Sequence, residues 1–406
     1  MKQRILSMLL AAAMMLSLVS CGGSETPPAV STPPAQSTPA QSTPDESSPD
    51  KSASVDTPEP PPVDSGYSTV EVDGLQLPVG LMEEEEAAAQ LDENPDRDID
   101  RAVEPIKPVF GTMLDGTPLT DEFYYYRETL DSTLKQAYDL IRAGLLEGKE
   151  RIQMTVPVPQ DQFSDLYKKI IYDSPELFWL ELNGTRYAYN NKGLVTYVLP
   201  AYNDLAESRE GNAAIMEEFV AEALADMWSL STDVEKAKYA HDYLTSTIEY
   251  EIDSPYNQTS FSALVNQVTV CAGYAHAFQY MMQKMGIPCA YVVGFAMGGR
   301  HAWNILELDG EHYAMDVTWD DPLGAKPGRF YYNYFNITDA EIEADHLRES
   351  LSALLPVAEG TACNFQNAFG GNAYGTDFDA IVGEMPKPIT DGDSGDSSAE
   401  DNPYLS

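Results

Sequence analysis

A cysteine, a histidine and an aspartate follow one another in the C-terminal half of the chain, and together these residue types can supply a thiol nucleophile with a proton partner. Cys271 lies in VCAGYA, His301 in HAWN and Asp316 in YAMDVTWDDP. A thiolate needs a group that carries its proton, and an imidazole that meets a carboxylate can serve as that group. Such chemistry requires a fold that brings the three side chains together.

Cys271 is predicted to open a helix. Apolar residues recur at helical spacing after it, Gly286 and Pro288 end the pattern, and CAYVVGF then reads as a buried strand. The unpaired N–H groups and the dipole at a helix N-terminus favour a negative charge and can stabilise an oxyanion. Gly273 is expected to let another chain segment or a substrate come near.

The segment from Arg300 to Pro322 is predicted to form a hairpin around Asp309-Gly310, a strong two-residue turn signal. Cross-strand partners would then have residue numbers that add to 619. His301 would face Thr318, Trp303 would face Asp316, and His301 and Asp316 would be diagonal neighbours on one face. The two strands of the hairpin would thus carry His301 and Asp316, which would form a histidine–aspartate dyad.

Other polar residues of this half receive structural interpretations. Thr232 and Glu235 have the form of a capping box before a helix that carries His241 on its apolar side. His241, His276 and His346 are interpreted as packed, hydrogen-bonded histidines. His312 would pair with Glu307 as a peripheral contact, and Gln267 is interpreted as a loop residue rather than an oxyanion donor.

The preceding part of the chain predicts mixed α and β structure. Phe123–Gly148 has the apolar spacing of a helix, RIQMTVPV alternates like a strand, and Asn190–Gly193 is predicted to be a hairpin turn. No nucleophile and base come together in this segment. We interpret it as a supporting subdomain.

The N-terminus resembles a bacterial lipoprotein signal. Lys2 and Arg4 precede an apolar stretch, Ile5 to Leu18, that is short for a lone membrane span, and Leu-Val-Ser-Cys follows. The resemblance implies that Cys21 is lipidated and anchors an extracytoplasmic protein to the bacterial cell membrane. An ordinary secretory signal is the alternative.

Composition limits which structures the remaining regions can form and which classes of partner the protein can bind. Residues 24–64 are rich in Pro, Ser and Thr, which cannot form a core and predict an extended spacer on the order of 100 Å long. Residues 391–406 predict a disordered acidic tail. A formal charge of −41, with no Lys and Arg cluster, argues against a nucleic-acid partner.

The order of Cys271, His301 and Asp316, on a helix and then a hairpin, resembles the transglutaminase-like superfamily over about Thr232 to Asp339. The resemblance implies an α+β fold with a papain-like core, in which the helix bearing the cysteine packs on an antiparallel sheet bearing the histidine and aspartate. It implies acyl transfer on a protein or peptide amide through a thioester, without cofactor. Transamidation, deamidation and proteolysis stay open, as does the oligomeric state.

These observations divide the chain into a signal and lipobox (1–21), a linker (22–65), an N-terminal α/β region (66–228), a transglutaminase-like domain (229–385) and a tail (386–406). Three alternatives to a thiol enzyme remain. Cys271 could form a disulfide with Cys289 or Cys363, whose own redox state is open. Asp316, Asp320 and Asp321 could bind calcium, although no regular ligand spacing implies a metal. The fold could also serve as a noncatalytic surface-binding module.

Overall fold

A computed structural model describes residues 68–72, 75–79, 99, 105–323 and 329–371. The predicted signal with Cys21, the linker and the acidic tail lie outside the described residues. All described elements belong to one compact unit, Asp64–Ser406. Within the described residues, none of the helices has both the length and the apolar character needed to cross a membrane.

The N-terminal region contains an antiparallel sheet of five strands in the order β1-β2-β4-β5-β3. The strands are β1 Ser68–Val72, β2 Leu75–Val79, β3 Ile152–Gln153, β4 Leu180–Tyr189 and β5 Val195–Tyr202. The turn predicted at Asn190 joins β4 to β5, and the Asn190 side chain accepts hydrogen bonds from the N–H groups of Lys192 and Leu194. This hairpin is therefore confirmed.

The helices that pack in this region are α1 Tyr125–Glu128, α2 Ser132–Leu146, α3 Gln160–Tyr172 and α4 Arg209–Ala223. The single helix predicted over Phe123–Gly148 is wrong, since the chain forms α1 and then α2. Asp131 accepts hydrogen bonds from the N–H groups of Thr133 and Leu134, and so starts a new helix where the pattern suggested continuity.

The C-terminal half supplies the elements that carry the predicted triad. Helix α5 spans Asp233–Thr247 and begins with the predicted capping box of Thr232 and Glu235. Short strands β6, Glu249–Tyr250, and β7, Val268–Thr269, form a parallel pair ahead of helix α6, Cys271–Lys284. The prediction that Cys271 opens a helix is confirmed.

A second, antiparallel sheet follows α6, with the strand order β10-β9-β8-β11. Its strands are β8 Cys289–Ala296, β9 Gly299–Leu308, β10 Glu311–Met315 and β11 His346–Arg348, and the short helices α7 Asp339–Ile342 and α8 Phe365–Phe369 accompany it. Asp309 and Gly310 both have positive φ, as a tight hairpin turn of this length requires. The predicted register is confirmed from Leu308↔Glu311 to Asn304↔Met315.

Buried residues from both halves form one apolar cluster. Hydrogen bonds also join the halves: the Tyr126 hydroxyl donates to the backbone oxygen of Tyr291, and the Gln279 amide donates to that of Tyr172. The N-terminal region therefore supports the second sheet and helix α6. The boundary between the regions at 228 and 229 stays a prediction.

Candidate active site

Cys271 occupies the first position of α6 and is 5% exposed. Val270 before it is extended, so the chain turns sharply into the helix at the cysteine. The backbone N–H of Cys271 donates a hydrogen bond to the hydroxyl of Tyr250 on β6. This N–H is one of the donors that a helix leaves without an intrahelical partner. Sequence reasoning missed Tyr250, whose strand has two residues and no distinctive pattern.

Gly273 is required by a close contact within the chain. A Cβ at this position would overlap the Oγ1 atom of Thr269 and would lie 3.1 Å from the backbone oxygen of Asn257. The Thr269 hydroxyl donates to that same oxygen. The neighbour that Gly273 admits is thus the segment leading into the helix, which fixes the approach to Cys271.

His301 on β9 and Asp316 meet as the sequence predicts, but by a different backbone path. The imidazole Nε2 lies 2.6 Å from Asp316 Oδ2. Strand β10 ends at Met315, so the expected pairs of His301 with Thr318 and of Trp303 with Asp316 do not form. The Asp316 N–H instead bonds the backbone oxygen of Tyr334, because the chain leaves the ladder there.

The Asp316 carboxylate is held on both oxygens. Its Oδ1 accepts hydrogen bonds from the N–H groups of Thr318 and Trp319, at 2.9 and 3.1 Å. Its Oδ2 accepts from His301 and also from His346 Nε2, at 3.0 Å. Because four donors surround a fully buried carboxylate, both its ionised form and its orientation are stabilised.

The electrostatic surroundings favour an ion pair between the His301 imidazolium and the Asp316 carboxylate. Burial by itself lowers the pKa of His301, but the charges of Asp316 and Cys271 and the hydrogen bond to Asp316 raise it to about 10. Burial by itself raises the pKa of Asp316, yet the imidazoles of His301 and His346 bring it well below its usual range. His301 therefore contacts Asp316 through Nε2 and interacts with the Cys271 thiol, as an acid–base residue between nucleophile and carboxylate would.

His346 is buried and hydrogen-bonded, in line with the structural interpretation of the sequence, but one of its two partners is Asp316. Its ring lies 5.2 Å from that of His301, centroid to centroid, and is surrounded by the aromatic rings of Trp303, Trp319 and Tyr334. Nothing near His346 in the sequence indicates this, because β11 is three residues long and reaches the site by pairing with the distant strand β8.

A metal ion is a conceivable occupant of this group, since one ligand atom each of His301, Asp316 and His346 lies within 4.8 Å of the others. However, both histidines approach the same oxygen of Asp316 at hydrogen-bond distances of 2.6 and 3.0 Å. Those distances are typical of hydrogen bonds between an imidazole N–H and a carboxylate oxygen. The arrangement therefore fits a hydrogen-bonded group without a metal.

The acidic residues after Asp316 have separate partners. Asp320 bonds His241 Nε2 at 3.3 Å and accepts the N–H groups of Asn333 and Tyr334, whereas Asp321 accepts the Tyr274 hydroxyl at 2.7 Å. The calcium alternative is disfavoured, because these carboxylates already accept hydrogen bonds from different protein donors. The expectation that His241 is a hydrogen-bonded core histidine is confirmed.

The remaining candidates are structural. His276 is buried and stacks on Tyr291 at 3.9 Å, and burial lowers its pKa to about 3. Gln267 has a left-handed backbone where the short π-helix Ser262–Asn266 ends, in keeping with a loop role. His312 pairs with Glu307, as the predicted register requires.

The cysteines of the described residues are free thiols. Cys271, Cys289 and Cys363 are all buried, and none is bonded to another. Burial raises the pKa of the Cys289 thiol well above its ordinary value and also raises that of Cys363. The alternative of a disulfide at Cys271 is therefore wrong for this structure.

Comparison with known proteins agrees with the site geometry. Residues 222–317 match the family model described as the transglutaminase-like superfamily. The matched segment contains Cys271, His301 and Asp316. The chain thus contains a transglutaminase-like domain of mixed helices and sheets.

Two curated relatives and a solved structure illustrate this similarity. Kyphoscoliosis peptidase of Mus musculus is 26% identical over 175 residues, which make up 38% of this chain and 26% of that protein. Its Homo sapiens counterpart is 28% identical over 158 residues, or 33% of this chain and 23% of that protein. The chain therefore spans about a quarter of these relatives' length. A crystal structure described as a TGase is 17% identical over 31% of this chain and 42% of that chain, with a TM-score of 0.24.

Proposed function

We propose that the transglutaminase-like domain is a thiol enzyme that acts on protein or peptide amides through a cysteine thioester. Cys271 is the nucleophile, His301 the general acid and base, and Asp316 the residue that orients His301. One observation carries the proposal: His301 Nε2 bonds Asp316 at 2.6 Å, while its buried Nδ1 has no hydrogen-bond partner among the described residues and the charge of the thiol at the start of α6 acts on the same imidazole.

The reaction follows the usual steps of thiol acyl transfer. His301 holds the thiol proton as an imidazolium, and Cys271 Sγ attacks the carbonyl carbon of the amide. The amide C–N bond breaks, His301 returns the proton to the leaving nitrogen, and a thioester remains. An acceptor then loses a proton to His301 and attacks the thioester, which releases the acyl product and regenerates the thiol.

The oxyanion of the tetrahedral intermediate needs donors near Cys271. The Cys271 N–H, which now bonds the Tyr250 hydroxyl, lies at the positive end of the α6 dipole. An oxyanion that takes this N–H would also lie next to the Tyr250 O–H. The two groups are therefore the proposed oxyanion donors.

The acceptor decides between three outcomes. Water gives peptide hydrolysis or deamidation, and an amine gives transamidation. The relatives named kyphoscoliosis peptidase favour water, although they resemble only part of this chain. The proposed substrate is accordingly a protein or peptide, with no cofactor.

A noncatalytic binding module on the same fold is the second candidate. It is favoured by burial of the group, since Cys271, His301 and Asp316 are 5%, 3% and 0% exposed. In this case the three residues would stabilise the domain, and a partner would bind elsewhere on the surface. Reactivity of Cys271 separates the two candidates.

The proposed location is extracytoplasmic. Lipidated Cys21 would anchor the chain to the bacterial cell membrane, and the Pro, Ser and Thr-rich linker would hold the domain away from it. The high negative charge suits a soluble domain at a cell surface. Membrane attachment through the lipid alone is part of this proposal.

The test of activity is incubation with a glutamine-containing protein and a labelled primary amine, followed by mass spectrometry. Amine incorporation, a gain of one mass unit by deamidation, or new peptide termini identify the three reactions. Cys271→Ala should abolish the product, whereas Cys363→Ala, which alters a buried thiol outside the site, should retain it. Equal products from the wild type and Cys271→Ala would overturn the proposal.

A further inference from the structure

A second histidine, His346, lies on the same face of the sheet as His301. His346 pairs with Ala296 and Arg348 with Gly294, while Gly294 also pairs with His301. Because residues directly opposite each other share a face, this register places both imidazoles above β8. Gly294 has no room for a side chain: a Cβ there would lie 2.6 Å from the Trp303 ring and would clash with the backbone of Leu347.

Both ring nitrogens of His346 contact carboxylates. Nε2 lies 3.0 Å from Asp316 Oδ2, and Nδ1 lies 2.5 Å from Asp345 Oδ1. A carboxylate accepts hydrogen bonds and an imidazole donates from both nitrogens only when it is a cation. The side chain of His346 is fully buried, whereas that of Asp345 is 35% exposed and also accepts the Tyr334 hydroxyl.

We propose that His346 is a positioning residue for the catalytic pair: held as a cation between Asp345 and Asp316, it keeps Asp316 ionised and aimed at His301. This role rests on the proposed function, since it presumes that His301 exchanges a proton with Cys271. His301 alternates between cation and neutral imidazole during such a reaction. His346 would supply Asp316 with a constant cationic partner through both states.

The position of His346 also affects the charge on Cys271 and His301. The groups facing its ring are Asp316, His301, Asp345 and the Tyr334 phenol. A cation about 5 Å from the His301 ring favours the thiolate and disfavours the His301 cation. Its loss should move the pH profile of Cys271 alkylation upward.

The first test reads the protonation of His346 directly. In protein labelled with 15N-histidine, both His346 nitrogens should show protonated chemical shifts at neutral pH. Asp345→Asn, which changes a partly exposed residue, should convert one nitrogen to the unprotonated shift. A His346 with one unprotonated nitrogen in the wild type would overturn the proposal.

The second test measures alkylation of Cys271 by iodoacetamide between pH 5 and 10, with peptide mass spectrometry to resolve the site. His346→Gln and Asp345→Asn should both shift the profile to higher pH, the former by more. His312→Gln, which alters a histidine of the same sheet that pairs with Glu307, should leave it unchanged. Because Asp345 is at the surface, its variant remains informative if His346→Gln does not fold.

The outcomes separate the two proposals. If His301→Ala shifts the profile and neither His346→Gln nor Asp345→Asn does, His346 is merely structural and the proposed function stands. If His301→Ala has the same alkylation profile as the wild type, the proposed function fails and the role of His346 fails with it.

Discussion

His301 Nε2 and Asp316 Oδ2 are 2.6 Å apart, although Asp316 lies one residue beyond the end of its strand. The strand ladder brings the two residues near each other, but the final alignment comes from the turn after Met315. The backbone of that turn donates to the other oxygen of Asp316, through Thr318 and Trp319. The dyad thus depends on an irregular segment as well as on the sheet.

Replacement of Asp316 by Asn should lower turnover more than it lowers the reactivity of the Cys271 thiol. The amide cannot hold His301 in the required tautomer or stabilise its cation, so turnover should fall on the order of 10³ to 10⁴-fold. Acylation by a p-nitrophenyl ester, followed through nitrophenolate release, provides the measurement. Turnover within a few-fold of the wild type, in a folded variant, would show that the carboxylate does not orient His301.

Gly294→Ala should destabilise the protein and disturb the approach of β11 to β8. The added methyl group meets Leu347 backbone and the Trp303 ring, neither of which can move freely. Overpacking of this kind costs about 1–3 kcal/mol, measured by urea unfolding. Gly211→Ala is the matched control, because it lies in α4 with open space around it and should stabilise by about 0.5–1 kcal/mol. Equal effects of the two changes would contradict the tight contact.

His241 should make stability depend on pH. Burial by itself lowers its pKa, but Asp242 and Asp320 raise it to about 9, above the ordinary value of 6.5. A raised pKa in the folded state means that the contribution is fully present below about pH 6.5 and is lost as pH rises through about 9. The free energy of unfolding of the wild type should be higher than that of His241→Gln. This difference should be larger at pH 6 than at pH 10, by up to about 3 kcal/mol. A constant difference would contradict the ion pair.

Cys21→Ala should block lipidation and shift the protein away from the lipid-anchored fraction. The expectation rests on the assignment of the anchor to this residue alone. Metabolic labelling with a fatty-acid analogue and fractionation of cells provide the measurement, with Cys363→Ala as a control that keeps the anchor. Unchanged acylation of Cys21→Ala would contradict the assignment.

Local sequence predicts the parts of this site that local interactions determine. The Asp309-Gly310 turn sets the register of β9 and β10, and the apolar spacing after Cys271 predicts α6. The break at Asp131 also has a local signal, a side chain that caps the next helix, which the continuous apolar spacing obscured.

Tertiary contacts determine the rest, and no pattern near the residues reveals them. His346 reaches Asp316 because the three-residue strand β11 pairs with β8. The partner of His346 on β8 is Ala296, which lies 50 positions earlier in the chain. Tyr250 reaches the N–H of Cys271 because two two-residue strands pair in parallel. Strands this short carry too few residues to show a period.

Site-resolved alkylation of Cys271 tests the central claim most directly. At mildly acidic pH, Cys271 should react faster than Cys289 and Cys363, because burial raises the pKa of both other thiols. His301→Ala removes the cation beside Cys271, so the profile should move to higher pH while the folded state, checked by circular dichroism, persists. An unreactive Cys271 in the folded wild type, or a profile indifferent to His301, would contradict the account and favour a structural thiol in a binding module.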